Sequence, residues 1–466
     1  MIDSLSAQLE KAAQAGQSHV VQAAEQLDDA GRATLAASLG AVPWDTLDEL
    51  RNLVLRDAAA GPSVADMRPP LSLGAADAQA RVEQGEALLA RGAIAVFTLA
   101  GGQGSRLGWN GPKGTFPATA ITGKPLFGVL AERIRAMTVR YGAPVCWYIM
   151  TSVDNHEATL SFFNDNQFFG LDRANVMLFR QGMLPAFDAA TGNLLLGGPD
   201  CLAMSPDGHG GSFAALRNSG AIEHMERRGV EQASYVQIDN PLIRAVDPGF
   251  IGLHVDAGVS SGEFSSKIIA RAHATEKVGI YVDTPSGMRA VEYSDLDVQQ
   301  AAATDADGRL IWRAANLAMH MVSVPFMRRI AEGGADALPW HKASKKVPFW
   351  CVDSARMIEP ETNNAIKLER LVFDALPSVE RSLLLEVERA DEFAPIKNVD
   401  GEDSPATSIA LQSSLHASWL REASVNVADG AAIEISPLVA QWPGDLDRSM
   451  LPDAIDGSEP FVLDGN

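Results

Sequence analysis

The sequence predicts an α/β fold with a mostly parallel central sheet, and three observations carry that prediction. Between about residues 86 and 395, short β-branched and aromatic runs alternate with segments of helical period. The first apolar run, Ala93 to Leu99, stops abruptly at Gly101 and Gly102, as a buried strand does when it feeds a tight βα turn. A later run, SYVQIDN, leads straight into Asp239, placing a carboxylate at a strand end, where open α/β sheets bind ligands.

The elements follow in order. Residues 1–85 read as helices, with Leu5, Leu9 and Ala12, then Val20, Val21, Ala24 and Leu27, then Leu47, Leu50 and Val54 at helical spacing. Pro43, Gly61-Pro62 and Pro69-Pro70 punctuate this segment, which carries no visible chemistry. VCWYIMTS predicts a second strand, and Asp154 is the expected N-cap of the helix carrying Leu160, Phe162 and Phe163. ANVMLF predicts a third, and FSSKIIARA, KVGIYVD, MRAVEYS and NLAMHMVS predict further strands in a meander. IKLERLVFDAL reads as a helix that starts with Lys367 and ends before Pro377. GEDSPATS reads as a linker, SVNVADGAAIEISP as small β structure, and the last twenty residues as a loosely ordered acidic tail. The expected division is therefore 1–85 helical, 86–395 the α/β domain and 396–466 a small C-terminal domain, with no internal repeat.

Composition sets limits on partners. A formal charge of -21 over 466 residues argues against nucleic acid or an anionic membrane, since either needs a basic face. An anionic substrate then requires a local cationic pocket or a metal. Cys146, Cys201 and Cys351 are far apart and not in CxxC spacing, so neither a disulfide framework nor a zinc site is indicated. No apolar stretch reaches membrane-span length and MIDSLSAQLEKAAQ is no signal peptide, which makes the cytoplasm the expected location.

The glycine turn is the richest stretch. Gly101, Gly102 and Gly104 remove side chains where a backbone would approach a ligand, and Arg106 and Lys113 follow within a short distance. A tight turn with two solvated cations would look similar, but Pro112 stiffens the approach to Lys113 and Gly114 leaves room beside it. A dinucleotide fingerprint is excluded because Leu107 stands where its third glycine belongs. A Walker loop is excluded because no GK is followed by Ser or Thr. An oxidoreductase reading falls with that spacing.

LAGGQGSRLG followed by PKG resembles the signature loop of the eukaryotic-type UDP-N-acetylhexosamine pyrophosphorylases. The resemblance recurs in order through WYIMTS, QGMLPA, MSPDGHGG, IDN, VEYSD, IKLERLVFD and DEFAPIKN, covering roughly residues 95–400. It implies a Rossmann-like nucleotidyltransferase fold with a helical N-terminal segment and a small C-terminal domain. It also implies a Mg2+-dependent uridylyl transfer from UTP to a hexose 1-phosphate. Such a transfer needs no protein base or nucleophile, because the attacking phosphate is already ionised. By resemblance, Leu99, Ala100, Gly101 and Gly102 border the uracil and ribose, Arg106 and Lys113 lie near the β- and γ-phosphates, and Gln181 and Gly208 read the uracil. Asp239 holds Mg2+, Lys397 sits at the reacting phosphates and Lys367 at the sugar phosphate, although a lone lysine such as Lys397 is ordinarily a surface residue. Gly279, Glu292 and Asn316 form the sugar side, with His209 at its edge.

Two departures bear on the sugar. The acetylhexosamine enzymes usually carry NGG where this chain has His209-Gly210-Gly211, a histidine more like the UDP-glucose enzymes, and NAGN where it reads Arg313-Ala314-Ala315-Asn316. N-acetylglucosamine 1-phosphate is the expected substrate, against glucose 1-phosphate or a broad set of sugars. A catalytically inactive nucleotide-sugar-binding protein is the non-enzyme alternative, though it would be expected to have lost Lys113, Asp239 or Lys397. Monomer and dimer are both left open.

Overall fold

The computed structural model describes residues 5–56, 66–334 and 337–465. The chain forms two compact units, each assembled from separated stretches of sequence: 1–61 with 181–214 and 332–375, and 62–180 with 215–331 and 376–466. The three linear segments expected from composition are a division of another kind.

The larger unit is built on a nine-stranded mixed sheet. Its strands are β1 (Ile94–Leu99), β2 (Cys146–Thr151), β3 (Val176–Arg180), β4 (Gln232–Gln237), β5 (Phe264–Ala270), β6 (Ile280–Thr284), β7 (Gly287–Val291), β8 (Ala314–Ser323) and β9 (Leu383–Glu386). They lie in the order β7-β6-β8-β4-β1-β2-β3, with β5 bonded to β8 and to β9. Strands β4, β1, β2 and β3 are parallel, and Leu99 pairs with both Met150 and Gln237, so these strands end together. The predicted meander is present and antiparallel: β8 pairs with β4, β5 and β6, and β6 with β7. The parallel strands read as unbroken apolar runs because both faces are covered, and Val96, Phe97, Trp147, Ile149, Tyr235 and Val236 are fully or almost fully buried.

In the smaller unit the helices Leu5–Gln14, Ser18–Glu25, Asp29–Leu39 and Leu47–Leu55 close a core of Ala12, Val20, Leu35, Leu39, Leu50 and Val54. Phe187, Leu194, Leu196 and Leu368, contributed by its two later stretches, complete that core. The N-terminal helices thus have an apolar stripe with a partner to bury it against.

Four local expectations are corrected. IKLERLVFDAL is not one helix: Ala365–Glu369 is a strand paired with His341–Lys345, followed by a 3-10 segment Val372–Ser378. Ile366-Lys367-Leu368-Glu369 alternates apolar and charged residues, and with a partner strand available the two-residue period wins. Asp154 is exposed and Asn155 holds the cap position before His156–Asp165. The end of GEDSPATS begins the helix Pro405–Glu422, where Ser404 caps Thr407 and Pro405 takes the first turn. The acidic tail is not loose: Ala454–Ile455 pairs with Asn426–Val427 and Phe461–Leu463 with Ile433–Ile435, while Asp464 meets Lys124 at 3.3 Å.

Candidate active site

The glycine turn leaves β1 and folds back on itself. Gly104 N–H donates to Gly111 O at 2.9 Å and Lys113 N–H to Gly102 O at 3.0 Å, so Lys113 returns beside the strand end. The glycines serve different ends. A Cβ on Gly104 would sit 2.7 Å from Trp109, and one on Gly114 would sit 2.2 Å from the Phe127 ring, so packing alone demands glycine there. At Gly102 the nearest atom would be Lys113 Cδ at 3.9 Å, an ordinary contact, so packing makes no such demand.

Asn155, absent from the sequence expectations, fixes this turn. Fully buried, it donates through Nδ2 to Ala100 O at 3.0 Å and Gly102 O at 3.3 Å, and accepts from Ser152 N–H at 2.9 Å. The only sequence signal for it was its place just after an apolar strand. Leu99 and Ala100 are tied to the neighbouring strands by Ile238 N–H to Leu99 O and Ala100 N–H to Met150 O. Gly101 lies between the two carbonyls that Asn155 holds.

Asp239 comes to the same place from β4. Its Oδ2 lies 3.1 Å from Lys113 Nζ, and both side chains are only 16% exposed. Its carbonyl accepts from Ile396 N–H at 2.9 Å, which sets Lys397 one residue away. Asn240 continues the clamp, donating to Glu392 O at 2.6 Å and accepting from Ala394 N–H at 3.0 Å. Below it Lys267, with no exposed surface, reaches Glu392 at 2.7 and 2.8 Å and Asp247 at 2.6 Å. A charge network that deep in the protein persists only when every charge is paired, which makes the DEFAPIKN segment a rigid support. The Lys397 side chain is more open, with Nζ 3.2 Å from Asp403 and over the Phe393 ring at 5.4 Å. Arg106 is exposed and has no ion-pair partner among the described residues.

The three sugar-side residues also converge. Asn316 N–H donates to Gly279 O at 2.9 Å, and a Cβ on Gly279 would lie 3.6 Å from Glu292 Oε1. A cavity of about 750 Å3 in the same unit, reaching Tyr141, Arg244, Glu392 and Trp442, contains none of the predicted residues.

The remaining four belong to the smaller unit. Met183–Pro185 pairs antiparallel with Met204–Pro206, a register that carries Gln181 and Gly208 toward one another at the open end. Gly208 has φ +82°, and a Cβ there would lie 2.4 Å from Arg370 O. Lys367 stands just upstream on the strand whose end presses on Gly208. His209 accepts the Val372 N–H through Nδ1 at 3.0 Å, and burial lowers its pKa to about 4, so the ring is neutral with its proton on Nε2. Asp207, also absent from the sequence expectations, has its carboxyl pushed up to about 6 by burial, and its Oδ1 has no hydrogen-bond partner among the described residues.

The structure thus brings together a glycine turn, a strand-end carboxylate paired with a lysine, and a second lysine on a segment hydrogen-bonded to the backbone carbonyl of that aspartate. The family described as UTP–glucose-1-phosphate uridylyltransferase matches residues 59–439. The chain belongs to this family. It is 35% identical over 407 residues to the UDP-N-acetylhexosamine pyrophosphorylase-like protein 1 of Xenopus tropicalis, covering 81% of this chain and 78% of that protein. It is 35% identical over 355 residues to the UDP-N-acetylglucosamine pyrophosphorylase of Saccharomyces cerevisiae, covering 75% and 74%. The solved uridine diphosphate N-acetylglucosamine pyrophosphorylase from Trypanosoma brucei, in complex with inhibitor, superposes with a TM-score of 0.84 at 26% identity, over 100% of this chain and 99% of that one. The family and fold named from the motifs are therefore those of this chain.

Proposed function

We propose that this uridylyltransferase joins UTP to N-acetylglucosamine 1-phosphate by direct displacement. The relatives' names support that sugar, and the observation that carries the chemistry is Lys113 on Asp239 with Ile396-Lys397 bonded to the same aspartate. A phosphate oxygen of the sugar phosphate attacks the α-phosphorus of UTP. The bond from that phosphorus to the bridging oxygen breaks, and pyrophosphate leaves with the electron pair. Lys113 and Lys397 neutralise charge that grows on the α-phosphoryl oxygens and the leaving group, and Arg106 engages the outer phosphates. Gly102, where packing makes no demand for glycine, leaves the backbone open to the nucleotide. Gln181 and the Gly208 backbone read the uracil, and Lys367 meets the sugar phosphate.

Asp239 fits a Mg2+ ion, since among the described residues only one of its two carboxylate oxygens is engaged. Mg2+ suits one carboxylate completed by substrate phosphates, and when bound it would screen the triphosphate charge. Cytoplasmic residence is part of the same reading. The free cysteines fit a reducing compartment, and among the described residues no helix is long and apolar enough to cross a membrane.

The deciding measurement is pyrophosphate release from UTP and Mg2+ across a panel of sugar 1-phosphates. N-acetylglucosamine 1-phosphate should have the highest kcat/KM. A preference for glucose 1-phosphate overturns the sugar assignment, and no release with any sugar overturns the enzyme reading. Asn316→Ala should narrow the preference about ten- to a hundredfold.

A further inference from the structure

Asn316 lies at a break in the sheet. Strand β8 pairs with β6 only at Ala315 and with β4 only from Met319 onward, so Asn316 to Ala318 fall between two partner strands. On its other side the register against β5 slips between Ser266 and Ile268, and Ala318 has φ +58°, a conformation that a residue with a Cβ seldom adopts. This local distortion turns the Ala318 N–H onto Asn316 Oδ1 at 2.8 Å. Tyr281, fully buried on β6, donates its hydroxyl to the same oxygen at 3.1 Å.

These two contacts settle which way the amide faces. A backbone N–H can only donate, so the atom that receives it is the carbonyl oxygen, and the Tyr281 hydroxyl fills that oxygen's second lone pair. The Asn316 NH2 donates to no described residue. An asparagine free to flip could offer either an acceptor or a donor to a sugar; this one offers a donor.

We propose that Tyr281 is a positioning residue for sugar selectivity, locking Asn316 so that only its NH2 is available to the substrate. The group it matches is an acceptor, the carbonyl oxygen of an N-acetyl substituent. A glucose 2-hydroxyl both donates and accepts, so it depends less on which face of Asn316 it meets. The inference rests on the proposed reaction and goes beyond it, by assigning the polarity of the contact and the residue that sets it.

Tyr281→Phe removes one oxygen and leaves the ring in the core. In pyrophosphate-release assays it should lower kcat/KM for N-acetylglucosamine 1-phosphate about three- to tenfold, mainly through KM. Glucose 1-phosphate turnover, the KM for UTP and the melting temperature should stay near the parent values. Asn316→Asp keeps the acceptor that Tyr281 and Ala318 use but puts a second acceptor where the NH2 was. It should shift the ratio of the two sugars further toward glucose 1-phosphate. If Tyr281→Phe leaves that ratio unchanged, or slows both sugars equally, Tyr281 has no part in selectivity and the inference fails while the reaction stands. A parent enzyme without preference for the acetylated sugar overturns the inference together with the sugar assignment, while the uridylyl transfer itself stands.

Discussion

Two glycine-rich turns, one in each compact unit, show how similar sequence can carry different physics. In the turn after β1 a cation and a carboxylate meet, Lys113 on Asp239, and a Cβ on Gly102 would meet nothing nearer than Lys113 Cδ at 3.9 Å beyond its own chain neighbours. In the turn Asp207 to Gly211 the glycines are filled by the chain itself: added Cβ atoms at Gly208 and Gly210 would strike Arg370 and Leu371 backbone at 2.4 to 2.7 Å. At Gly102 the first turn keeps open space beside a charged pair. The second spends its glycines on bringing backbone against backbone, which suits recognition of a neutral base edge through fixed N–H and C=O groups. Glycine count alone does not distinguish a phosphate cradle from a packed corner; what a Cβ would hit does.

The comparison is broken most directly at Asp239. Asp239→Asn keeps the shape and removes the charge, and should reduce turnover a hundredfold or more at any Mg2+ concentration, because the triphosphate brings several negative charges to a strongly acidic protein. Steady-state kinetics with a Mg2+ titration checks it. A variant that turns over like the parent makes the carboxylate structural.

A somewhat smaller effect is expected from the lysines. Lys113→Ala and Lys397→Ala should each lower kcat about ten- to a hundredfold with less change in KM, as for contacts that strengthen in the transition state. Arg106→Ala, which disturbs no ion pair among the described residues, should act first on the KM for UTP. A loss confined to KM in all three variants would reduce the lysines to uniform binders.

The two glycines can then be set against each other. Gly102→Ala meets only an ordinary contact, so the melting temperature should hold while the KM for UTP rises. Gly208→Ala must place a Cβ 2.4 Å from Arg370 O at φ +82°, with strain and overpacking costing about 1–3 kcal/mol each. Its signature should be a drop in melting temperature. If Gly102→Ala is the less stable protein, the contrast between the turns is wrong.

What could be read in the sequence follows the same line. The parallel strands, the glycine turn and Asp239 were legible because unbroken apolar runs ending on glycine or aspartate admit few other folds. Asn155 and the Lys267–Asp247–Glu392 network were not, since their meaning depends on partners far away in the chain: Lys267 and Glu392 are 125 residues apart. Ile366 to Glu369 was misread because a charged, alternating stretch becomes a strand only beside a partner, here His341–Lys345. Tyr281 sat in a run recognised as a strand, yet no pattern announces that its hydroxyl meets Asn316.

The smallest effect concerns the second turn and depends on pH. The Asp207 carboxyl is seated against two glycines, with Oδ2 2.4 Å from a Gly182 Cβ position and 2.2 Å from that of Gly211. Burial raises its pKa to about 6, above the ordinary 3.8. A carboxyl so raised binds its proton more tightly in the folded protein, so its contribution to stability is greatest at low pH. That contribution is lost as pH rises through the window from about 4 to 6, and at neutral pH the ionised group is a net burden. Other carboxylates, such as Glu263 beside Arg329, are shifted downward and work in the opposite sense, so the parent curve alone does not isolate Asp207. The difference between parent and Asp207→Asn does. Melting temperatures measured from pH 4.5 to 7.5 should show the variant gaining on the parent with rising pH, most steeply near about pH 5 and levelling off above about pH 6, by a few degrees at most. A constant gap would mean that Asp207 does not titrate in this range.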